Sequence, residues 1–170
     1  MLRLLVPLVA LVLFTGCDGA SPEAQRLFED AALLSPVSGI TQTDAAGAIS
    51  SRDADDWRIG PAYLNNIVFL QLPSPNPVVR GDALRFTVDA VVGVPGGIQV
   101  FVLAEDPSTG VLRIQTIRDP GATCADAVRS DICQFVISAS QIGLSGPGLY
   151  RLLLLDGRDG VVSYGDVEVR

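Results

Sequence analysis

Beyond Asn66 the apolar residues recur at alternate positions, in short stretches cut by Gly, Pro, Asp and Ser. Such a period of two buries one face of a strand and cannot bury one face of a helix. The clearest stretch places Leu84, Phe86, Val88 and Ala90 on one face and Arg85, Thr87 and Asp89 on the other. Comparable strands are expected over Asn66 to Leu72, Ile98 to Val102, Val111 to Ile117, Ile132 to Ser138, Leu149 to Leu155 and Val161 to Val169. Turn-forming runs separate them: Gly93 to Gly97, Asp106 to Gly110, Asp119-Pro120-Gly121 and Asp156 to Gly160. Leu149 to Leu155 is almost continuously apolar, the pattern of a central strand. Short strands with turns between them and no long helix indicate an all-β fold, an antiparallel β-sandwich over residues 61–170. A barrel satisfies the same pattern. The Gly93 to Gly97 run lacks the Lys and the following helix that a phosphate-binding loop needs, and reads as a hairpin turn.

The amino-terminal part is of another kind. Arg3 supplies a positive start, Leu4 to Phe14 an apolar run, and Thr15-Gly16 small residues directly before Cys17. This arrangement resembles the lipobox of bacterial lipoproteins. The resemblance implies a signal peptide over 1–16, cleavage before Cys17, and fatty chains such as palmitate on its sulfur. The protein would then be a membrane-anchored lipoprotein of the cell envelope, on its periplasmic or surface face. A secreted protein without lipid would also suit Gly16. An uncleaved membrane span would need about 20 apolar residues, more than the run before Thr15 offers. Residues 17–60 read as a flexible tether with a short helix: Ser21 as cap, Pro22 and Glu23 in the first turn, Leu27, Phe28, Ala31 and Leu34 on one face, Pro36 as the stop. A flexible tether of that length has a reach of roughly 35 Å, which would hold the domain clear of the headgroups.

Acidic residues number 19 against 12 basic ones, all of them Arg. Nucleic acid and anionic lipid both favour a positive face, so no nucleic-acid partner is expected. The chain has no His, which removes His-dependent nucleophilic triads and the common zinc sites. No cofactor and no metal are expected. Asp53, Asp55 and Asp56 before Trp57 invite a calcium reading, but lack the twelve-residue loop with its central Gly and closing Glu. An acidic turn that leads Trp57 into the core is the simpler account. Paired carboxylates remain as acid–base chemistry, from Asp82, Asp89, Glu105, Asp156 and Asp159, and most of these fall in turns or on outward positions. Arg85, Arg113 and Arg151 are expected on outward strand faces, paired with acids. No catalytic residue is assigned.

With Cys17 acylated, Cys124 and Cys133 remain as an even pair in an oxidising compartment, where a disulfide persists. Two buried free thiols fit the same residues.

Pro73-Ser74-Pro75-Asn76-Pro77 precedes Gly81 and the strand Leu84 to Val88. Near the other end, Gly148-Leu149-Tyr150 opens a strand to Leu155, followed by the turn Asp156 to Gly160 and a last strand to Val169. Together these resemble the β-sandwich sorting domains at the ends of type IX secretion cargo. The resemblance implies an immunoglobulin-like sandwich and, for function, a sorting-domain-like part of a secretion system. The expected function is a non-enzymatic binding or structural module, held to the membrane by its lipid and contacting another envelope protein. A carbohydrate- or small-ligand-binding module is the alternative. If the disulfide is present, alkylation of the denatured, unreduced protein leaves Cys124 and Cys133 unmodified, as intact mass spectrometry will show; labelling of both would exclude the bridge.

Overall fold

The computed structural model describes residues 21–90, 94, 96–105, 112–117, 131–143 and 146–170. Among the described residues, eight strands form two antiparallel sheets packed face to face. One sheet has three strands in the order β4 (Ile67–Ser74), β5 (Ala83–Ala90), β8 (Asp131–Ser138). The other has five, ordered β3 (Arg58–Ile59), β10 (Val161–Val169), β9 (Gly148–Asp156), β6 (Ile98–Glu105), β7 (Leu112–Thr116). A small hairpin, β1 (Gln42–Thr43) with β2 (Ile49–Ser51), stands apart from both. The alternation in the sequence maps onto the interior: Leu84, Phe86 and Val88 of β5 and Cys133, Phe135 and Ile137 of β8 face Val100 and Val102 of β6 and Leu152 and Leu154 of β9. The Phe86 and Phe135 rings stack across β5 and β8 with centroids 4.5 Å apart. An all-β sandwich is therefore the architecture. β5 and β6 do not form the hairpin that Gly93 to Gly97 suggested, because β5 pairs with β4 and β8 on its two sides while β6 lies in the other sheet.

β9 is central, as its composition implies, with β10 and β6 as neighbours. Its inward residues Leu152 and Leu154 join the sandwich core, and its outward Leu153 and Leu155 join a second core with Leu103, Val161 and Tyr164. The helix α1 (Pro22–Leu34) covers that outer core. Its start follows the expected chemistry: the Ser21 hydroxyl accepts from the Ala24 N–H at 3.1 Å, Pro22 opens the first turn, and the last helical residue is Leu34. Its buried face matches the expected one only in part, through Phe28 and the half-buried Ala31. Phe28 and Ala32, one turn apart, pack on the sheet, while Leu27 and Leu34 are exposed. Ala32 has no bulk beyond Cβ and lets the helix backbone approach the sheet.

That approach has a polar reason. Arg151, outward on β9, is fully buried beneath α1 instead of pairing in solvent. Its Nη1 donates to the carbonyls of Ala31, Ala32 and Ser35 at 3.3, 3.2 and 2.9 Å, and its Nη2 to Pro36 at 3.2 Å. These carbonyls lie at and just beyond the carboxyl end of α1, where a cation is favoured. The same guanidinium donates to both oxygens of Asp166 on β10, at 2.7 and 2.9 Å.

The segment 21–60 is part of the folded body rather than a flexible tether. Trp57 sits in the sandwich core with φ +57° and lies flat on Gly165, where a Cβ would overlap the indole. The Trp57 backbone N–H donates to the Tyr164 carbonyl at 2.7 Å. Asn76, buried between two prolines, donates from Nδ2 to the carbonyls of Thr41 and Asp166, while its Oδ1 accepts from the Glu168 N–H. Four anchors, Phe28, Thr41, Trp57 and the Arg151-capped helix end, hold the segment where no strand period announces it. Arg151→Ala leaves Asp166 buried without its partner, so a loss of about 3–5 kcal/mol is expected; urea unfolding will read the loss, and faster amide exchange over 22–34 will show α1 released.

Candidate functional site

Of the sequence-predicted site residues, Cys17 and Cys124 lie outside the described residues. Cys133 is fully buried on the inward face of β8, opposite Val88 of β5.

The carboxylates considered for acid–base work do not converge. Asp156 is buried, and its Oδ1 accepts from the N–H groups of Arg158 and Gly160 at 2.8 and 2.9 Å, shaping the β9–β10 turn. Its Oδ2 accepts from the Tyr63 hydroxyl at 2.9 Å. Burial first, and then the hydrogen bond to Asp156, push the Tyr63 phenol well above its ordinary range. Asp159 is exposed in the same turn with φ +65°. Asp89 lies on the outward face of β5, paired in register with Val68 and Ile132, and Asp82 precedes that strand. The Glu105 side chain lies outside those described. Asp156 therefore spends its acceptors on a turn, a structural use.

The acidic run before Trp57 does lead the indole into the core, but one member is not solvated. Asp56 is 4% exposed, and its two oxygens accept from the N–H groups of Thr41 at 2.6 Å and Asp166 at 2.7 Å. Burial raises its pKa to about 6; the two N–H groups pull the other way and the Asp166 charge adds to the rise. Asp53 accepts from the Asp55 N–H at 3.4 Å. Its pKa is lowered by the hydrogen bond with the Asp55 side chain, whose own pKa is raised by that bond. Among the described residues, no group of three or more His, Cys, Asp or Glu side chains is placed to hold a metal ion.

Of the three strand arginines, Arg151 is inside, and Arg85 and Arg113 are exposed on β5 and β7. The whole Trp and Tyr complement is built into the body: Trp57, Tyr150 and Tyr164 are buried and Tyr63 is half-buried. A carbohydrate platform needs such rings facing solvent. Sequence reasoning missed two surface features. One is a groove of about 500 Å³ on the outer face of the five-stranded sheet, between the end of α1 and β7, with Leu103 as its floor and Leu34, Val37, Leu112 and Leu149 around it. The other is β7 itself, an edge strand exposed at every position, including Leu112 at 48% and Ile114 at 52%. Its alternation was visible in the sequence; that its sheet outreaches the three-stranded one was not. Among the described residues, no helix is long and apolar enough to cross a membrane.

No family model matches the sequence, and no curated protein matches it. Several solved structures are similar in part, three of them as follows. A β-glucosidase from Listeria innocua is 18% identical over 61% of this chain and 16% of its own, with a TM-score of 0.43. An alkylpurine DNA glycosylase from Pseudomonas fluorescens is 13% identical over 62% of this chain and 30% of its own, with a TM-score of 0.40. A Niemann-Pick type C2 protein from Japanese carpenter ant is 6% identical over 71% of this chain and 96% of its own, with a TM-score of 0.35. The chain spans about a sixth of the glucosidase and under a third of the glycosylase. Likeness at this level carries no argument about activity or ligand.

Asp56 gives the domain a pH dependence of definite sign. Its carboxyl holds a proton up to about pH 6 when folded and to about 3.9 when unfolded. Its contribution to stability is therefore greatest below about pH 4 and is lost as the pH rises through 6. In Asp56→Asn that titration is gone while the other carboxylates remain. The stability of the native protein minus that of the variant should fall by about 2 kcal/mol between pH 4 and 7, as paired denaturant titrations will show; a constant difference would exclude the shift.

Proposed function

We propose that this protein is an envelope lipoprotein, anchored in a membrane through acylated Cys17, whose sandwich serves as a non-enzymatic binding or structural module. The observation that carries the reading is the apolar run closed by Thr15-Gly16-Cys17, followed within four residues by the capping Ser21 of a docked helix. Two or more acyl chains hold a protein firmly, at about 0.8 kcal/mol per buried methylene, while one chain binds reversibly. The partner proposed is another envelope protein. Support comes from β7, whose exposed edge offers backbone groups and apolar side chains of the kind that strand addition uses. Support for binding over catalysis comes from Asp156, committed to a turn, and Asp56, committed to the Thr41 and Asp166 backbone. An aromatic carbohydrate platform is disfavoured by the burial of Trp57, Tyr150 and Tyr164. The Cys124–Cys133 bridge belongs to the same reading, since export places the pair where disulfides persist.

Cys17→Ser removes the acylated sulfur. The variant should move from the detergent phase to the aqueous phase on Triton X-114 partitioning, and the native amino terminus should carry fatty chains by mass spectrometry. Unchanged partitioning of the variant, or an unacylated Cys17 in the native protein, would exclude the anchor.

A further inference from the structure

We infer that one end of the sandwich, made by the β3–β4 connection and the β9–β10 turn, rests on the phospholipid headgroups, with Leu64 entering the bilayer interface. This orientation rests on the lipoprotein reading of Cys17.

Chain length sets the first limit. Four residues lead from Cys17 to Ser21, a span of about 14 Å at full extension. The helix start is fixed to one end of the body. Gln25 Nε2 donates to the Val161 carbonyl at 3.0 Å, and its Oε1 accepts from the Ala62 N–H at 3.0 Å. The amino end of α1, the 3-10 turn Pro61–Tyr63 and the start of β10 therefore lie together. From there α1 follows β10 toward Arg151 and Asp166, away from the anchor. β9 and β10 are nine residues each, so the opposite end lies about 30 Å off. Val79 and Arg80 sit at that far end, where the Arg80 N–H donates to the Arg170 carbonyl. A leash of about 14 Å sets the near end within reach of the headgroup layer, a few Å deep on each side of the hydrocarbon.

The chemistry of the near end fits that placement. Leu64, which follows the Pro61–Tyr63 turn, is 62% exposed, and Ala62 within that turn is exposed as well. In the β9–β10 turn the exposed Arg158 and Asp159 carry opposite charges, so a zwitterionic surface neither repels nor demands that turn. The outward side of α1 is less suited. From Glu23 to Asp30 it carries the exposed ion pairs of Arg26 with Glu23 at 2.7 Å and Asp30 at 3.0 Å, which a bilayer would strip of water.

The test uses the mature acylated full chain, reconstituted in phosphatidylcholine vesicles with or without bromine on the acyl chains. Bromine quenches tryptophan only near the hydrocarbon, and Trp57, buried in the core, supplies the background. Leu64→Trp and Ala62→Trp both replace exposed side chains. They are expected to lose at least twofold of their added emission in brominated vesicles, while Val79→Trp and Leu34→Trp keep theirs. Quenching of Leu34→Trp above Leu64→Trp would overturn the orientation in favour of a body lying on α1. Equal quenching of Leu64→Trp, Ala62→Trp and Val79→Trp would overturn it as well. Flotation of the native protein with the same vesicles separates the two readings: floating protein with unquenched Leu64→Trp sinks the orientation alone, and protein that does not float sinks the anchor and the orientation together.

Discussion

Asp166 ties remote parts of this protein together through both its side chain and its backbone. Its carboxylate takes two bonds from Arg151 and one from the Ser38 N–H at 3.0 Å. Its own N–H goes to Asp56 and its carbonyl receives Asn76. Through Arg151 the same residue holds the carboxyl end of α1, and through Asp56 it holds Thr41. A buried ion pair of this kind gains its attraction only by shedding water, so it survives where every remaining donor and acceptor finds a partner. Here they do: among the described residues, no buried side-chain nitrogen or oxygen lacks a hydrogen bond. Buried polar networks satisfied to this degree allow few alternative arrangements of the chain around them.

The consequence is a sheet covered on both sides along part of its width. β9 and β10 lie between the three-stranded sheet and α1, whereas β7 at the far edge is exposed throughout. The apolar groove beside β7 is where that cover ends. Docking of α1 also changes how far the body stands from Cys17. A floating tether of forty residues would have left it loosely placed, and a helix fixed from Ser21 onward leaves four.

The strands of the sandwich were legible because burial of one face is written residue by residue. Asn66 to Leu72 was expected and Ile67–Ser74 is formed; Leu149 to Leu155 was expected and Gly148–Asp156 is formed. The helix was legible through Ser21, Pro22 and Pro36, whose effects are local. Its orientation was not. Leu27 and Leu34 look as apolar in the sequence as Phe28, but contact with the sheet is decided by where Arg151 must reach the last carbonyls. Arg151 itself looked like an outward charge, since a period of two says which face a residue takes and not what lies over it. Asp56 was read as solvated for the same reason.

From the sequence by itself came the all-β class, the central place of β9, the helix start and stop, and Cys17 as the candidate anchor. Each depends on neighbours a few residues away. The tertiary structure alone decided that residues 21–60 fold onto the domain and that Asp56, Asp166 and the Arg151 guanidinium are buried. It also decided which edge and which end of the sandwich face outward. Those outcomes depend on pairs such as Arg151 with Pro36 and Asn76 with Asp166. Such pairs are remote along the chain, and no local period or spacing encodes them.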